Sequence, residues 1–255
     1  GMTGIQATAK YIHPMPVAID ITDHDIRLAR IDNGRLLHLE GYPIPADVDP
    51  LTALANAPLP HPLGAVRVSI SHPDMLLRVM LQPPAPRERM ARIIQFDVQN
   101  LGGGEEMLVN WHIPGIGGTG DARVLAQLAK RQLIDRLQEA LAQHQGRLES
   151  LIDPAVAQFL AFQRNGLTDQ GTQVLIDCGN EALHLVIMQD GDLIFYRTHK
   201  PGFDELLDDA MELRGVDRDS ADRLLRKLGS GAPDDLKNLI RRQGQSVATT
   251  INNNI

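Results

Sequence analysis

Apolar and polar positions fall into one arrangement twice along this chain. Val17-Ala18-Ile19-Asp20-Ile21 leads through a polar turn, Thr22 to Asp25, into an apolar run from Ile26 to Ile31. Val174-Leu175-Ile176-Asp177-Cys178-Gly179 leads through Asn180 and Glu181 into Leu183 to Met188. Each reads as strand, aspartate, tight turn, strand. An aspartate at the end of a buried strand is costly unless a cation or a hydrogen-bond donor meets it, so its recurrence points to two loops facing one ligand. A two-lobed nucleotide clamp is built in this way.

The remaining pattern fills in around these two segments. Arg35 to Tyr42 is a third strand, joined to the second by Asn33-Gly34, a hairpin signature because both residues tolerate positive φ. Pro43 to Pro62 predicts loop with a short helix from about Asp49, and Val66 to Ser71 predicts a fourth strand. Leu76 to Leu81 reads as a strand, and Pro86 opens an amphipathic helix with Met90, Ile93, Ile94, Val98 and Leu101 on one stripe and Gly102 as its stop. Met107 to Ile113 is a further strand. Val124 to Ala129 is apolar enough for strand or helix, and periodicity does not choose between them. Lys130 to Gln145 predicts a helix with Leu133, Ile134, Leu137 and Leu141 inward. A strand at Leu148 to Ile152, a helix from Asp153-Pro154 to about Arg164, a hairpin at Gly191-Asp192 and helices at Phe203 to Leu213 and Ser220 to Leu228 complete the series. The tail from Asp234 predicts one weak helix and a loose end at Asn252-Asn253-Asn254.

Order and spacing of these pieces resemble the actin-like ATPase fold, and the middle unit resembles its PilM branch, the type IV pilus assembly proteins, with GspL-type secretion domains as near relatives. The residues carrying the resemblance are Val17 to Ile31, the helix at Asp153-Pro154-Ala155, the Asp177 loop, the helix after Pro201-Gly202, and an inserted unit at Leu81 to Leu101, Met107 to Ile113 and Val124 to Gly146. The implied fold is α/β, actin-like (ribonuclease H-like) and two-lobed, with an inserted α+β subdomain. The expected organisation is a first lobe over 15–72 with 147–170, the insertion over 73–146, a second lobe over 171–230 and a tail over 231–255.

By that resemblance Asp20 matches the first phosphate-loop aspartate, with Thr22, Asp23 and Arg27 beside it, and Asp177 with Gly179 matches the second loop. Asp20 and Asp177 would hold Mg²⁺, Gly202 would lie near the nucleotide, and Asp153 would orient attacking water as the one catalytic residue. The departures point the other way. Asp23 and Asp25 add negative charge beside a triphosphate that only Mg²⁺ or Arg27 could offset. Leu225 stands where active members carry a lysine, and residues 231–255 hold no double glycine, so the C-terminal part of the fold is expected to be incomplete, through truncation or natural loss. The expectation is a cytoplasmic scaffold with no working cofactor, brought to the inner membrane by binding the cytoplasmic peptide of a pilus or secretion protein. Its alternative is an Mg²⁺-dependent ATPase using Asp20, Asp177 and Asp153. Self-association stays open.

Composition narrows this further. The net charge of −7 and the lack of a Lys/Arg block disfavour general nucleic-acid binding. Arg223, Arg226 and Lys227 with Lys237, Arg241 and Arg242 read as the wet side of two helices, and Asp204, Glu205, Asp208 and Asp209 as a solvated acidic face. No run of apolar residues predicts a membrane span, and the amino terminus does not read as a signal peptide. The single cysteine, Cys178, reads as a packed small residue. Gly115 to Gly120 spells G-x-G-x-x-G, but Pro114 separates it from the strand before it, so it reads as a loop rather than a dinucleotide fingerprint. The nine histidines, His24 and His199 included, show no metal-ligand spacing.

Overall fold

The structure, a computed structural model, describes residues 17–101, 105–112, 122–164, 170–180, 182–200, 202–227 and 233–253. The glycine loop at 113–120, Gly102, Glu181, Pro201 and the N-terminal residues fall outside this range. Packing divides the chain into two compact units, one of them made of residues up to 75, 105–107 and 129–154, the other of the remainder.

The first unit is a five-stranded sheet in the order β3-β2-β1-β4-β8. Strands β1 (Val17–Ile21), β2 (Asp25–Asp32) and β3 (Arg35–Pro43) form an antiparallel meander, while β4 (Gly64–Ile70) and β8 (Gly146–Ile152) run parallel to β1. The β2–β3 turn uses positive φ at both Asn33 and Gly34, 47° and 76°, which is the twist a two-residue hairpin needs. Val17, Ile19 and Ile21 of β1 and Val66, Val68 and Ile70 of β4 point to one face and are buried there. Helices α1 (Pro50–Asn56) and α3 (Arg131–Ala142) complete that core with Leu51, Leu54, Leu133, Leu137 and Leu141. Asp49 caps α1 through the Thr52 amide at 3.0 Å and takes Arg136 Nη2 of α3 at 2.8 Å. Burial alone would raise its carboxyl, but those donors hold it below the ordinary carboxylate range. Buried His144 donates from Nε2 to Leu54 O at 2.7 Å, tying the end of α3 to α1.

Two readings of the sequence change here. Val124 to Ala129 is strand, within β7 (Ala122–Lys130). Helix α3, placed in the insertion by its position in the chain, buries its apolar stripe in the first unit. The chain leaves the first sheet at β4 and returns through α3 and β8, so the packing boundary lies near 129 rather than 146.

The second unit holds the sheet β5-β7-β6, from β5 (Met75–Gln82), β7 and β6 (Met107–His112), and the sheet β11-β10-β9, from β9 (Thr172–Cys178), β10 (Leu183–Gln189) and β11 (Asp192–His199). Helix α2 (Arg87–Leu101) buries Met90, Ile94 and Val98 of the predicted stripe. Gln82 Nε2 donates to Asp97 of α2 at 2.7 Å, and the Arg87 guanidinium lies 4.9 Å from the Trp111 ring centre. Helix α4 (Pro154–Arg164) packs Ala155 and Phe159 against Val186, Met188 and Leu193. Helices α5 (Phe203–Arg214), α6 (Arg218–Arg226) and α7 (Asp234–Asn252) share a core of Leu206, Leu207, Ala210, Ala221, Leu225, Leu236 and Leu239. The tail is therefore one 19-residue helix whose first two turns are anchored, not a weak helix and a linker. Leu225 is a core residue of this helical cluster.

Candidate functional site

The repeated plan of the sequence is a repeated structure: β1-β2-β3 and β9-β10-β11 are both antiparallel meanders, and the aspartate of each first strand stands opposite a basic residue. Asp20 pairs in register with Arg27, and Asp177 with His184.

In the first unit the turn after β1 brings Asp20, Thr22, Asp23 and Arg27 into one neighbourhood. Arg27 reaches Asp25 from Nε at 3.0 Å and Asp20 from Nη1 at 3.6 Å, so one guanidinium serves two carboxylates. Thr22 closes the turn upon itself. Its amide donates to Asp25 O at 2.9 Å, its hydroxyl donates to the Asp25 carboxylate at 2.5 Å, and the amides of His24 and Asp25 donate back to that hydroxyl at 3.2 and 3.0 Å. A phosphate loop works by directing consecutive amides at the anion. Here the amides of Thr22, His24 and Asp25 are committed within the turn, and Asp23 stands exposed at its tip.

Asp153 directly follows β8 and is 6% exposed. Asp20, Ser69 and Ile152 lie in register across β1, β4 and β8, which places Asp20 and the residue before Asp153 two strand spacings apart, roughly 10 Å. Both sit at the carboxyl ends of parallel strands, where open α/β sheets carry their ligands. Between them the Ser69 hydroxyl is buried and unpartnered among the described residues. Nothing local in the sequence marks Ser69, one serine within a strand.

In the second unit Asp177 accepts a hydrogen bond from Gln158 Nε2 of α4 at 2.6 Å. Gln158 is likewise unmarked in the sequence, since only the tertiary fold brings α4 to β9. Gly179 permits a close approach: a Cβ there would stand 2.7 Å from Ala182 O, a backbone atom with no freedom to retreat. The same loop holds the start of α5, with the Phe203 amide donating to Gly179 O at 2.9 Å and the Asp204 amide to Asn180 O at 2.8 Å. Gly202 is the N-cap residue of α5, in extended conformation and without a side chain to cap the helix. The loop carbonyls do that work. Gly179→Ala is accordingly expected to cost about 1–3 kcal/mol, as an overpacked site does. Hydrogen exchange would show it as lost protection at the amides of Phe203 and Asp204.

Other candidates resolve simply. Cys178 is exposed rather than packed, because it alternates with inward-facing Asp177 at the end of β9. Asp204 and Asp208 are engaged by Arg218, Arg226 pairs with Asp222 at 2.7 Å, and Arg214 with Asp235 at 3.0 Å, so much of the acidic and basic faces of the helical cluster is mutually satisfied. Among the described residues no group of three His, Cys, Asp or Glu side chains could hold a metal, and no helix is long and apolar enough to cross a membrane.

No protein-family model and no curated protein matches the sequence. Among solved structures, a chain of the PilM-PilN type IV pilus biogenesis complex superposes at a TM-score of 0.73 with 15% identity, over 92% of this chain and 76% of that one. The fold is PilM-like, that of the actin-like ATPases. Two further structures align less well. One is a protein of unknown function with an actin-like ATPase fold from Bacteroides thetaiotaomicron (TM-score 0.47, 10% identity, 80% of this chain and 78% of that). The other is the cytoplasmic domain of EpsL, an inner-membrane component of the type II secretion system of Vibrio cholerae (TM-score 0.45, 12% identity, 76% and 74%).

Proposed function

We propose that this chain is an actin-like scaffold of a type IV pilus or related secretion machine, and that it works by binding the cytoplasmic peptide of an inner-membrane assembly protein rather than by turning over nucleotide. The observation that carries the reading is the PilM-like fold across 92% of the chain, shared with a protein whose structure is a pilus biogenesis complex. Peptide capture of this kind combines burial of a few apolar side chains with strand-like backbone pairing. Localisation at the cytoplasmic side of the inner membrane would follow from the partner.

The nucleotide half of the reading rests on the self-closed turn at Thr22 to Asp25. Asp20 and Asp177 are the carboxylates that would face Mg²⁺ in an active relative, and Asp153 the one that would position water. Here Arg27 already neutralises Asp20, and Gln158 occupies Asp177. Calorimetric titration of the full chain with Mg²⁺ and ATP is expected to give no heat of binding. Micromolar binding that disappears in Asp177→Ala would overturn this half and restore the ATPase alternative.

The scaffold half has its own test. Inner-membrane vesicles stripped of peripheral proteins should retain the purified chain, and protease shaving of their cytoplasmic face should abolish retention. Equal retention by protein-free lipid vesicles would sink the peptide-partner reading.

A further inference from the structure

The largest concentration of exposed apolar side chains lies on β3, the edge strand of the first sheet. Leu36, Leu37 and Leu39 are 57%, 54% and 64% exposed, and Ile31 beside them on β2 is 41% exposed. Seven consecutive residues of β3, Arg35 to Gly41, are exposed, and among the described residues no strand pairs with its free side. An edge of this kind is a template for another strand.

Register decides which strand fits. In an unbroken strand Leu36 and Leu39 would face opposite sides. The β2–β3 ladder shifts between Arg30 and Ile31, so that Arg30 stands opposite His38 while Ile31 stands opposite Leu36. Leu37 is the additional residue of that bulge. The bulge moves Leu36 to the face of Leu39, which stands opposite Ala29, and leaves Arg35 on the same side as Glu40, which stands opposite buried Leu28.

We propose that β3 pairs antiparallel with β3 of a second copy of this chain, about a two-fold axis normal to the sheet between Leu37 and His38. In that register Leu36 meets Leu39 of the other copy and Leu39 meets its Leu36, so four leucines share one face. Arg35 meets the other copy's Glu40 on the opposite face, twice. The sequence of the strand is thus complementary to its own reverse in both apolar character and charge. Arg35 makes no ion pair among the described residues, and Glu40, held by His38 and Tyr42 at 3.0 and 2.7 Å, keeps a side chain 47% exposed. The pairing joins two five-stranded sheets into one of ten strands and leaves the buried face of each untouched.

Sedimentation equilibrium of the full chain over a wide concentration range tests this, with circular dichroism as the check on folding. The wild type is expected to dimerise, and Leu39→Lys to be monomeric. Arg35→Glu alone and Glu40→Arg alone should each weaken the dimer roughly tenfold or more, because each turns two attractive cross-strand pairs into repulsive ones. An equimolar mixture of those two variants should recover it, because every mixed pair is again Glu opposite Arg. A wild type that stays monomeric to its solubility limit overturns the proposal and leaves the leucine row to a strand of another protein. So does a dimer that survives Leu39→Lys, or one that mixing fails to restore.

Discussion

Leu137→Ala is expected to lower the stability of the first unit by about 3 kcal/mol, within the range of roughly 2–5 found when a fully buried leucine is cut back to alanine. Leu137 has no exposed surface and lies in the core formed by Leu54, Val66, Leu133 and Leu141. Its helix is held at its middle, where Arg136 bonds Asp49, and just past its C-terminal end, where His144 bonds Leu54 O. Gln138 bonds the first residues of β8, through Leu148 N at 2.9 Å and Gly146 O at 3.3 Å. A helix so tethered cannot move in to fill the void, so the cavity persists and the cost stays high. Hydrogen exchange in urea, read at β4 and α3, would measure the loss within this unit. Leu39→Ala, measured at a concentration where the chain is monomeric, supplies the contrast, with a change of less than about 0.5 kcal/mol expected for a site exposed in the single chain. Equal losses at the two positions would mean that α3 does not complete this core.

The second large effect is alkaline. Burial first, and then the hydrogen bond to Glu40, push the Tyr42 hydroxyl from about 10 up to about 12. Between those values an unfolded chain has released the proton while the folded chain retains it. Unfolding therefore releases a proton, and raising the pH favours it. The contribution is fully present below pH 10 and disappears as the pH rises to 12, a loss of about 2–3 kcal/mol at roughly 1.4 kcal/mol for each tenfold fall in proton concentration. The quantity to measure is the difference between wild type and Tyr42→Phe. The variant should give a flatter stability curve between pH 10 and 12. Parallel curves would show that Tyr42 titrates alike in both states.

What could be read from the sequence was local. Alternation in Val17-Ala18-Ile19-Asp20-Ile21, the Asn33-Gly34 turn and the leucine stripe of α3 each state their structure within a few residues, because strand faces, positive φ and helical period are short-range properties. The order of such pieces then pointed to the actin-like architecture. Long-range properties stayed hidden. Nothing near Leu133 says that α3 packs on β4 rather than on the strands that precede it. The anchoring of α7 depends on the apolar faces of α5 and α6, which its own mixed sequence does not show. The aspartates of the candidate site were legible, but their neighbours were not. That Thr22 consumes the amides of its turn, that Gln158 reaches Asp177, and that Ser69 is buried between two strand ends are facts of geometry.

The parallel pairing of β4 with β8 has a consequence for how this protein is made. By the time Ile70 has left the ribosome, the residues of four strands of the first sheet have been made, among them Val17, Ile19, Ile21, Val66, Val68 and Ile70, which the finished sheet turns to one side. Helix α3, which completes the core on that side, begins at Arg131, and the neighbouring strand β8 follows it, so both are still to be translated. Closing so long a loop costs only modest entropy once its end has been synthesised, but until then a valine and isoleucine surface waits in water. Nascent chains in that condition are the ones that chaperones attend, and slower translation across the inserted segment would lengthen the exposure rather than assist folding.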